Sequence, residues 1–383
     1  MTALATGPNR LLSLDVFRGV TVAGMLLVNQ PGDWSAIYPP LAHAPWNGWT
    51  PTDLIFPFFL FIVGVTTHLS LSARRRRGDS QPAIVAQVVR RSAIIVLCGL
   101  LLASYPWWPP DRLTGMRFPG VLQRIGVAYL FGALFTLRGS LKQQVIVLVI
   151  LLYGYWFAMT VLPVPGTGAM GQLILDDPSA SLAAWLDRAV FGSHLWRSSV
   201  TWDPEGLFST IPAIGTVMLG VFAGRWLAGE TPIFERLVGL YGAGALATVG
   251  GLMWNWSFPI NKSLWTSSYV LFTGGVAAMS LATCIWLIDV VGIRWWTRPF
   301  TWFGRNPLLA FVGTGLMSRT IYSLVRLPQA EGSSRSLQRA IYESAYASWL
   351  SPQDASLLFA LSYVALWAFI LRAFEKRGVY WKV

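Results

Sequence analysis

Charge is what this chain has least of. Only 12% of its 383 residues are charged, against 54% apolar, where a soluble protein carries about 25% charged residues. That leaves too little polar surface to keep a compact body dissolved, so a soluble domain with a greasy core is excluded. Cysteine is nearly absent. Cys98 and Cys284 both lie in apolar runs, which implies no disulfide framework. The three histidines, His43, His68 and His194, show no metal-ligand spacing with them or with each other, so no metal site is expected. There is no internal repeat, and low complexity goes no further than Arg74 to Arg77. Acidic residues are scarce as well, 17 against 29 Lys and Arg. In a soluble domain that excess would suggest nucleic acid. Here most of it sits in short connections between apolar runs, where it sets orientation, and no nucleic-acid partner is expected.

Long apolar stretches are what the chain has in quantity. The fold class they predict is all-α: a polytopic integral membrane protein with about ten transmembrane helices, forming a single domain over 1–383. The 36 Gly and 23 Pro suit tightly packed or locally broken helices better than a barrel of short alternating strands. Spans fall at about 11–30, 53–73, 84–104, 120–137, 143–162, 208–227, 234–254, 266–289, 303–325 and 354–373, the ninth being the least apolar. Connections after even-numbered spans hold Arg74 to Arg77, Arg138, Lys142, Arg225, Arg236, Arg294 and Arg298, and the tail adds Arg372, Lys376, Arg377 and Lys382. Connections after odd-numbered spans carry Asp33, Asp111, Asp176, Asp177, Asp203 and Glu205. The positive-inside rule then predicts an inner-membrane protein with both termini cytoplasmic. The 31–52, 163–207 and 326–353 loops are expected outside. Met1 to Arg10 lacks a basic stretch followed by a cleavage site, so Leu11 onward reads as a retained span. The 163–207 loop contains an apolar-rich stretch, Leu182 to Trp196, which reads either as an interfacial helix over the outer mouth or as plain ordered loop.

Ionisable side chains are expensive in hydrocarbon and normally face protein or water. Asp15 and Arg18 are spaced i,i+3 in the first span and can pair on one face. Asn29 falls on the same side, about 16 Å further out. The stripe is either a helix-joining ion pair or one wall of a substrate or cofactor channel, with Asp15 in the structural role. A second concentration runs from Ala42 to Asp53. Thr50, Pro51 and Asp53 have the form of a capped helix start. Capping accounts for Asp53 but not for His43, in the Pro/Gly/Trp-rich turn before it. Arg124, Asp203, Glu205, Asn261 and Lys262 are expected near the same outer depth, and convergence of this kind suggests a site. Arg305 and Asn306 precede Pro307 on the inner side.

Several of these stretches resemble the heparan-alpha-glucosaminide N-acetyltransferase family of transmembrane acyltransferases. They are Leu14 to Gly19, Val28-Asn29, His43 to Phe59, Gly120 to Ile125, Asp203 to Leu207, Phe258 to Thr266 and Phe303 to Asn306, and the match covers nearly the whole chain. The resemblance implies a multi-helix acyltransferase bundle, often a homodimer. It implies acetyl transfer from cytoplasmic acetyl-CoA to the amine of a terminal glucosamine or related amino sugar on the far side of the membrane. His43 matches the family's essential histidine and Asn29 its nearby asparagine. The chain is expected to be a bacterial-type member lacking the large luminal domain, with a cell-envelope amino sugar or small glycan as acceptor.

Acetyl transfer from a thioester to an amine needs a base for the amine proton and a donor for the tetrahedral oxyanion. His43 suits the base, Asn29 the oxyanion donor, and Asp53 the acidic partner at the right depth. Direct transfer and an acetyl-imidazole intermediate on His43 are both chemically allowed. Arg18, Arg305 and Asn306 are the expected contacts for the donor's phosphates. Trp46, Trp49, Arg124, Asp203, Glu205, Asn261 and Lys262 are expected around the acceptor. The competing reading is a secondary transporter of a sugar or amino sugar. It shares the polar stripe and broken helices, but the two halves show no matching polar, broken spans.

Overall fold

In this computed structural model, which describes residues 11–108, 114–329 and 333–381, the apolar runs form helices almost end to end. Asp111 and Lys382 lie outside the described residues. The helices are α1 (Leu12–Asn29), α2 (Ile55–Arg76), α3 (Gln81–Ser104), α4 (Val121–Arg138), α5 (Leu141–Val161), α6 (Leu182–Phe191), α7 (Thr210–Leu227), α8 (Ile233–Trp254), α9 (Ser267–Ile285), α10 (Thr297–Arg305), α11 (Pro307–Arg319), α12 (Leu337–Tyr342) and α13 (Pro352–Lys376). Among the described residues, nine are long and apolar enough to cross a membrane: α1 to α5, α7 to α9 and α13. The all-α polytopic class is therefore observed. The described strands are a two-stranded antiparallel hairpin, Arg326–Pro328 with Ser334–Ser336.

The expected ninth span, 303–325, is not one helix. Pro307 has no N–H to give and disfavours helical backbone at the residue before it. Asn306 accordingly sits at φ −126°, ψ 49°, ending α10 and starting α11. α11 runs for 13 residues and then loosens into a π-helical turn, Thr320–Leu324. The 163–207 loop is ordered. It contains a short 3-10 turn, Gln172–Asp176, and α6, capped by Ser181 and ended by Gly192 at φ +56°.

α1 and α7 are the central helices, with 67% and 72% of their most apolar windows buried; α3, α5, α8 and α13 have 28% or less and form the outer ring. Membrane helices gain little from burying apolar surface against each other, so close approach at small residues does much of the work. α7 meets α2 this way: a Cβ on Gly64 would lie 2.0 Å from the Val217 carbonyl oxygen. α1 meets α10 more tightly still. A Cβ on Gly19 would lie 1.8 Å from the Phe300 oxygen, and one on Gly304 1.9 Å from that of Asp15. Exposed tryptophans ring both ends, Trp108, Trp256 and Trp349 at the His43 end and Trp226 and Trp295 at the opposite, arginine-rich end, as at membrane–water interfaces.

Candidate active site

The residues around His43 are held by one carboxylate. A 3-10 turn, Pro51–Leu54, precedes α2 and is closed by a capping box between Thr50 and Asp53. Asp53 is 1% exposed. Its Oδ2 accepts from the backbone N–H groups of Thr50 and Ala44, both at 3.0 Å. Its Oδ1 lies 2.7 Å from His43 Nδ1. The cap and the histidine thus share one side chain. With Nδ1–H donating to Asp53, the other ring nitrogen, Nε2, is left as the acceptor. The hydroxyl of Tyr269, on α9, donates to the Asp53 carbonyl and fixes the turn from the opposite side.

Lys262 arrives from 219 residues away. Its Nζ lies 3.0 Å from His43 Nδ1, 3.1 Å from His43 Nε2 and 3.6 Å from Asp53 Oδ1. A group equidistant from both ring nitrogens cannot lie along either lone pair, so the ammonium sits against the ring. The turn that presents it is built on buried Asn261. The Oδ1 of Asn261 accepts from Leu264 N–H at 2.9 Å, and its Nδ2 donates to Asn47 at 3.1 Å. Gly48 N–H also donates to the Ile260 carbonyl, at 2.8 Å, tying the two loops together.

Behind this pair lies a buried charge network. Arg117 bonds both Asp203 and Glu205. Arg124, 1% exposed, donates to Ser209 and Gly206 and stacks its guanidinium 5.0 Å over Trp265. Burial alone would raise the Glu205 carboxyl, but Arg117, Arg124 and Lys262 hold it below the usual range. Burial pushes the Lys262 ammonium below the ordinary lysine value, against the pull of Asp53 and Glu205. Asp187 of α6, accepting from Leu207 N–H at 2.9 Å, is pushed up by burial to about 7.

The expected acceptor contacts therefore divide. Lys262 stands against His43, and Glu205, bonded to Arg117, lies within electrostatic reach of Lys262. Trp46 donates to the Leu175 carbonyl at 2.7 Å and packs on Trp202, pinning the 163–207 segment over the loop. Trp49 is half exposed, beside Phe272. Arg124, Asp203 and Asn261 are buried and shape the wall rather than line an open surface. Asp203 pairs with Arg117, and Asn261 bonds Leu264 N–H and Asn47. Arg124 bonds Gly206 and Ser209, while its Nε and Nη1 have no hydrogen-bond partner among the described residues. Asn29 is the exposed last residue of α1, and no hydrogen bond joins it to His43.

At the other end, Arg18 Nη1 lies 3.7 Å from Asp15 Oδ1 and donates to the Gly304 carbonyl at 3.0 Å. Arg305 Nε lies 3.9 Å from Asp15 Oδ2, and its Nη1 bonds Glu375. A cavity of about 480 Å³ begins at Arg18, Arg91, Arg305, Tyr380 and Trp381 and runs inward past Met25, Phe59, Ile95 and Leu122. Met25 is about 6 Å along α1 from Asn29, and Leu122 is in the first turn of α4, so the lining reaches within about one turn of the outer ends of these helices. Asn306, expected among the donor contacts, is instead fully buried. It accepts from Trp381 N–H at 3.1 Å and donates to the Val379 carbonyl, holding the tail. Arg91 was not singled out from sequence. Its guanidinium lies 4.8 Å over Tyr129, and its buried Nε has no hydrogen-bond partner among the described residues. The signal was an Arg90-Arg91 pair inside an apolar helix, where a cation demands a reason.

These features define a class: a polytopic membrane protein with a carboxylate-held histidine at one end of its bundle and a cation-mouthed apolar cavity rising from the other. Residues 10–251 match the family model described as heparan-alpha-glucosaminide N-acetyltransferase, catalytic. The chain belongs to that family. Human (Homo sapiens) heparan-alpha-glucosaminide N-acetyltransferase is 29% identical over 431 aligned residues, covering 99% of this chain and 61% of the relative. The mouse (Mus musculus) protein of the same name is 29% identical over 424, covering 98% and 61%. The chain thus spans about three-fifths of the length of the curated relatives it matches.

Proposed function

We propose that the protein transfers an acetyl group from acetyl-CoA to the amine of a terminal glucosamine or related amino sugar. The observation that carries this reading is the alignment of two half-sites through one bundle. The cavity has three arginines in its wall, Arg18, Arg91 and Arg305, and an apolar lining that extends to Met25 and Leu122, toward the His43 end. A thioester donor has the same polarity: phosphates at one end, an apolar-tolerant arm, and the reactive carbonyl at the tip. The orphaned Nε of Arg91 is a donor in want of an anion.

At the far end, His43 takes the proton of the attacking amine on Nε2 while Asp53 holds Nδ1–H and stabilises the imidazolium that forms. Nitrogen attack on the thioester carbonyl gives a tetrahedral oxyanion, for which the Asn29 amide at the outer end of α1 is the donor in this reading. Collapse expels the thiolate, which takes the proton back from His43. One positioned base suffices for both transfers, which favours direct transfer over an acetyl-imidazole. The arginine-rich end is assigned to the cytoplasm by the positive-inside rule. The acetyl group then crosses the membrane within the protein, and both termini are cytoplasmic.

The test is single-turnover transfer from labelled acetyl-CoA to glucosamine by the purified chain. Formation of N-acetylglucosamine supports the reading. Movement of the sugar across a vesicle membrane without acetylation would overturn it in favour of transport.

A further inference from the structure

An acceptor amine must come within hydrogen-bond reach of the base that deprotonates it. One amine already does so. Lys262 Nζ, at 3.0 and 3.1 Å from the two nitrogens of His43, lies against the ring, and a rotation of its flexible side chain brings it to the Nε2 lone pair, where the acceptor of the proposed reaction has to stand. Its side chain is 23% exposed, so the position is neither sealed nor freely solvated. Among the described residues it is also the one lysine at this end. Lys142 and Lys376 are exposed at the arginine end, and Lys382 is in the C-terminal tail. Burial shifts Lys262 toward the neutral amine, which is the nucleophilic form.

We infer that Lys262 is a self-acetylation site: with donor bound and no acceptor present, the protein transfers the acetyl group to its own Lys262 Nζ. This rests on the acetyl-transfer reading above. The lone pair of neutral Nζ attacks the thioester carbonyl, a C–N bond forms and the C–S bond breaks. The proton lost by Nζ passes to His43 Nε2 and then to the departing thiolate, leaving Nε-acetyllysine and free thiol. An amide is not an activated acyl donor, so the group is not passed on. The modified side chain has lost its charge and fills the acceptor's place, and the protein is switched off until the amide is hydrolysed. Acceptor, when present, competes for the same position and protects it.

The experiment uses the full chain in detergent with deuterated acetyl-CoA, followed by peptide mass spectrometry at Lys262, Lys142 and Lys376. Without acceptor, Lys262 should be labelled about 10²-fold faster than the two exposed lysines, the lower worth of a positioned base. Glucosamine should slow this labelling, and His43→Ala or His43→Gln should bring it down to the rate at Lys142. The comparison among lysines is made within one wild-type sample, so it does not depend on how well a variant folds. A Lys262 rate no greater than that of Lys142 overturns the inference. A parallel arm measures transfer to glucosamine. Transfer there with Lys262 unlabelled sinks this inference and spares the function. Histidine-dependent label at Lys262 without transfer to glucosamine supports the inference and moves the acceptor to another amine. Neither reaction sinks both.

Discussion

The two ends of the bundle are built by opposite means. At the His43 end, one eleven-residue stretch supplies histidine, carboxylate and the backbone donors that orient them, and Asp53 caps the helix start and holds the histidine at once. At the arginine end, the cations come from α1, α3 and α10, far apart in sequence, and the tail is tied over them through Asn306. A locally built site is preorganised by the same bonds that start its helix, so damage there should appear in the chemical step. An assembled site spreads its work over several side chains, so damage should appear in donor affinity, in smaller portions.

The largest effect that separates the two is His43→Ala. It should lower acetyl transfer by roughly 10² to 10⁴ with acetyl-CoA affinity preserved, read by single-turnover rates beside donor titration. Near-normal rates in a folded variant would return His43 to an ordinary loop residue. Asn29→Ala, at the same end, should cost about 10² to 10³ in rate if it supplies an oxyanion donor. The paired variant should show less than the product of the two losses, because both act on one transition state.

Arg91→Ala should do the converse. Losing a charged donor of about 1.5 to 3 kcal/mol should raise the KM for acetyl-CoA by roughly 10- to 100-fold while the rate at saturation stays nearly unchanged. Asn306→Ala provides the contrast at the same end. Its amide is spent on Val379 and Trp381, so it should loosen the tail and change donor affinity less than Arg91→Ala does. A larger effect from Asn306 would mean that the amide turns to the donor when it binds.

How much of this was legible in the sequence follows the same division. His43 and Asp53 could be paired from the chain alone because Thr50-Pro51-Thr52-Asp53 is a recognisable helix start and the histidine is in the turn leading into it. Asp15 and Arg18 were legible from their i,i+3 spacing. The contacts of Arg91 with Tyr129 and of Lys262 with His43 were not, since no local pattern encodes a meeting across α3 and α4 or across 219 residues, although a cation inside the apolar run of α3 was itself a signal. Asn306 carried a misleading signal: a polar residue before Pro307 reads equally well as a ligand contact or a helix break, and the tail that claims its amide is about 75 residues away. The break itself, which splits the expected ninth span and leaves Pro307–Leu324 as its continuous part, was written in Pro307 but outweighed by the apolar run that follows it.

A mid-sized effect on stability should mark the α1–α10 contact. Gly304→Ala puts a methyl 1.9 Å from the Asp15 oxygen, and only backbone can yield there. It should cost about 1 to 3 kcal/mol, lower the melting temperature in detergent and disturb Arg18 and Arg305 together. Glu375→Ala removes only the partly exposed partner of Arg305 and should cost under about 1 kcal/mol.

The last expected effect lies behind the His43 end and is visible only against pH. Asp187 is 2% exposed and its carboxyl is pushed up to about 7, mainly by burial and further by nearby Asp203, while backbone donation from Leu207 and the charge of Arg124 oppose the shift. A folded-state value above the unfolded one of about 4 means that the protonated form is the one folding prefers. The stability this lends is complete below about pH 4 and is lost as pH rises through 7. Asp187→Asn keeps the side chain neutral throughout and retains a carbonyl oxygen to accept from Leu207. Wild type and variant should therefore melt together near pH 4, separate progressively between pH 4 and 7, and hold a constant gap above that, with the variant the more stable by about a few degrees. The measurement is a series of melting curves in one detergent from pH 4 to 9. A gap that is constant across the whole range, or one that opens on acidification, would show that Asp187 folds as a charged group and that the network of Arg117, Arg124, Asp203 and Glu205 behind His43 is balanced by it.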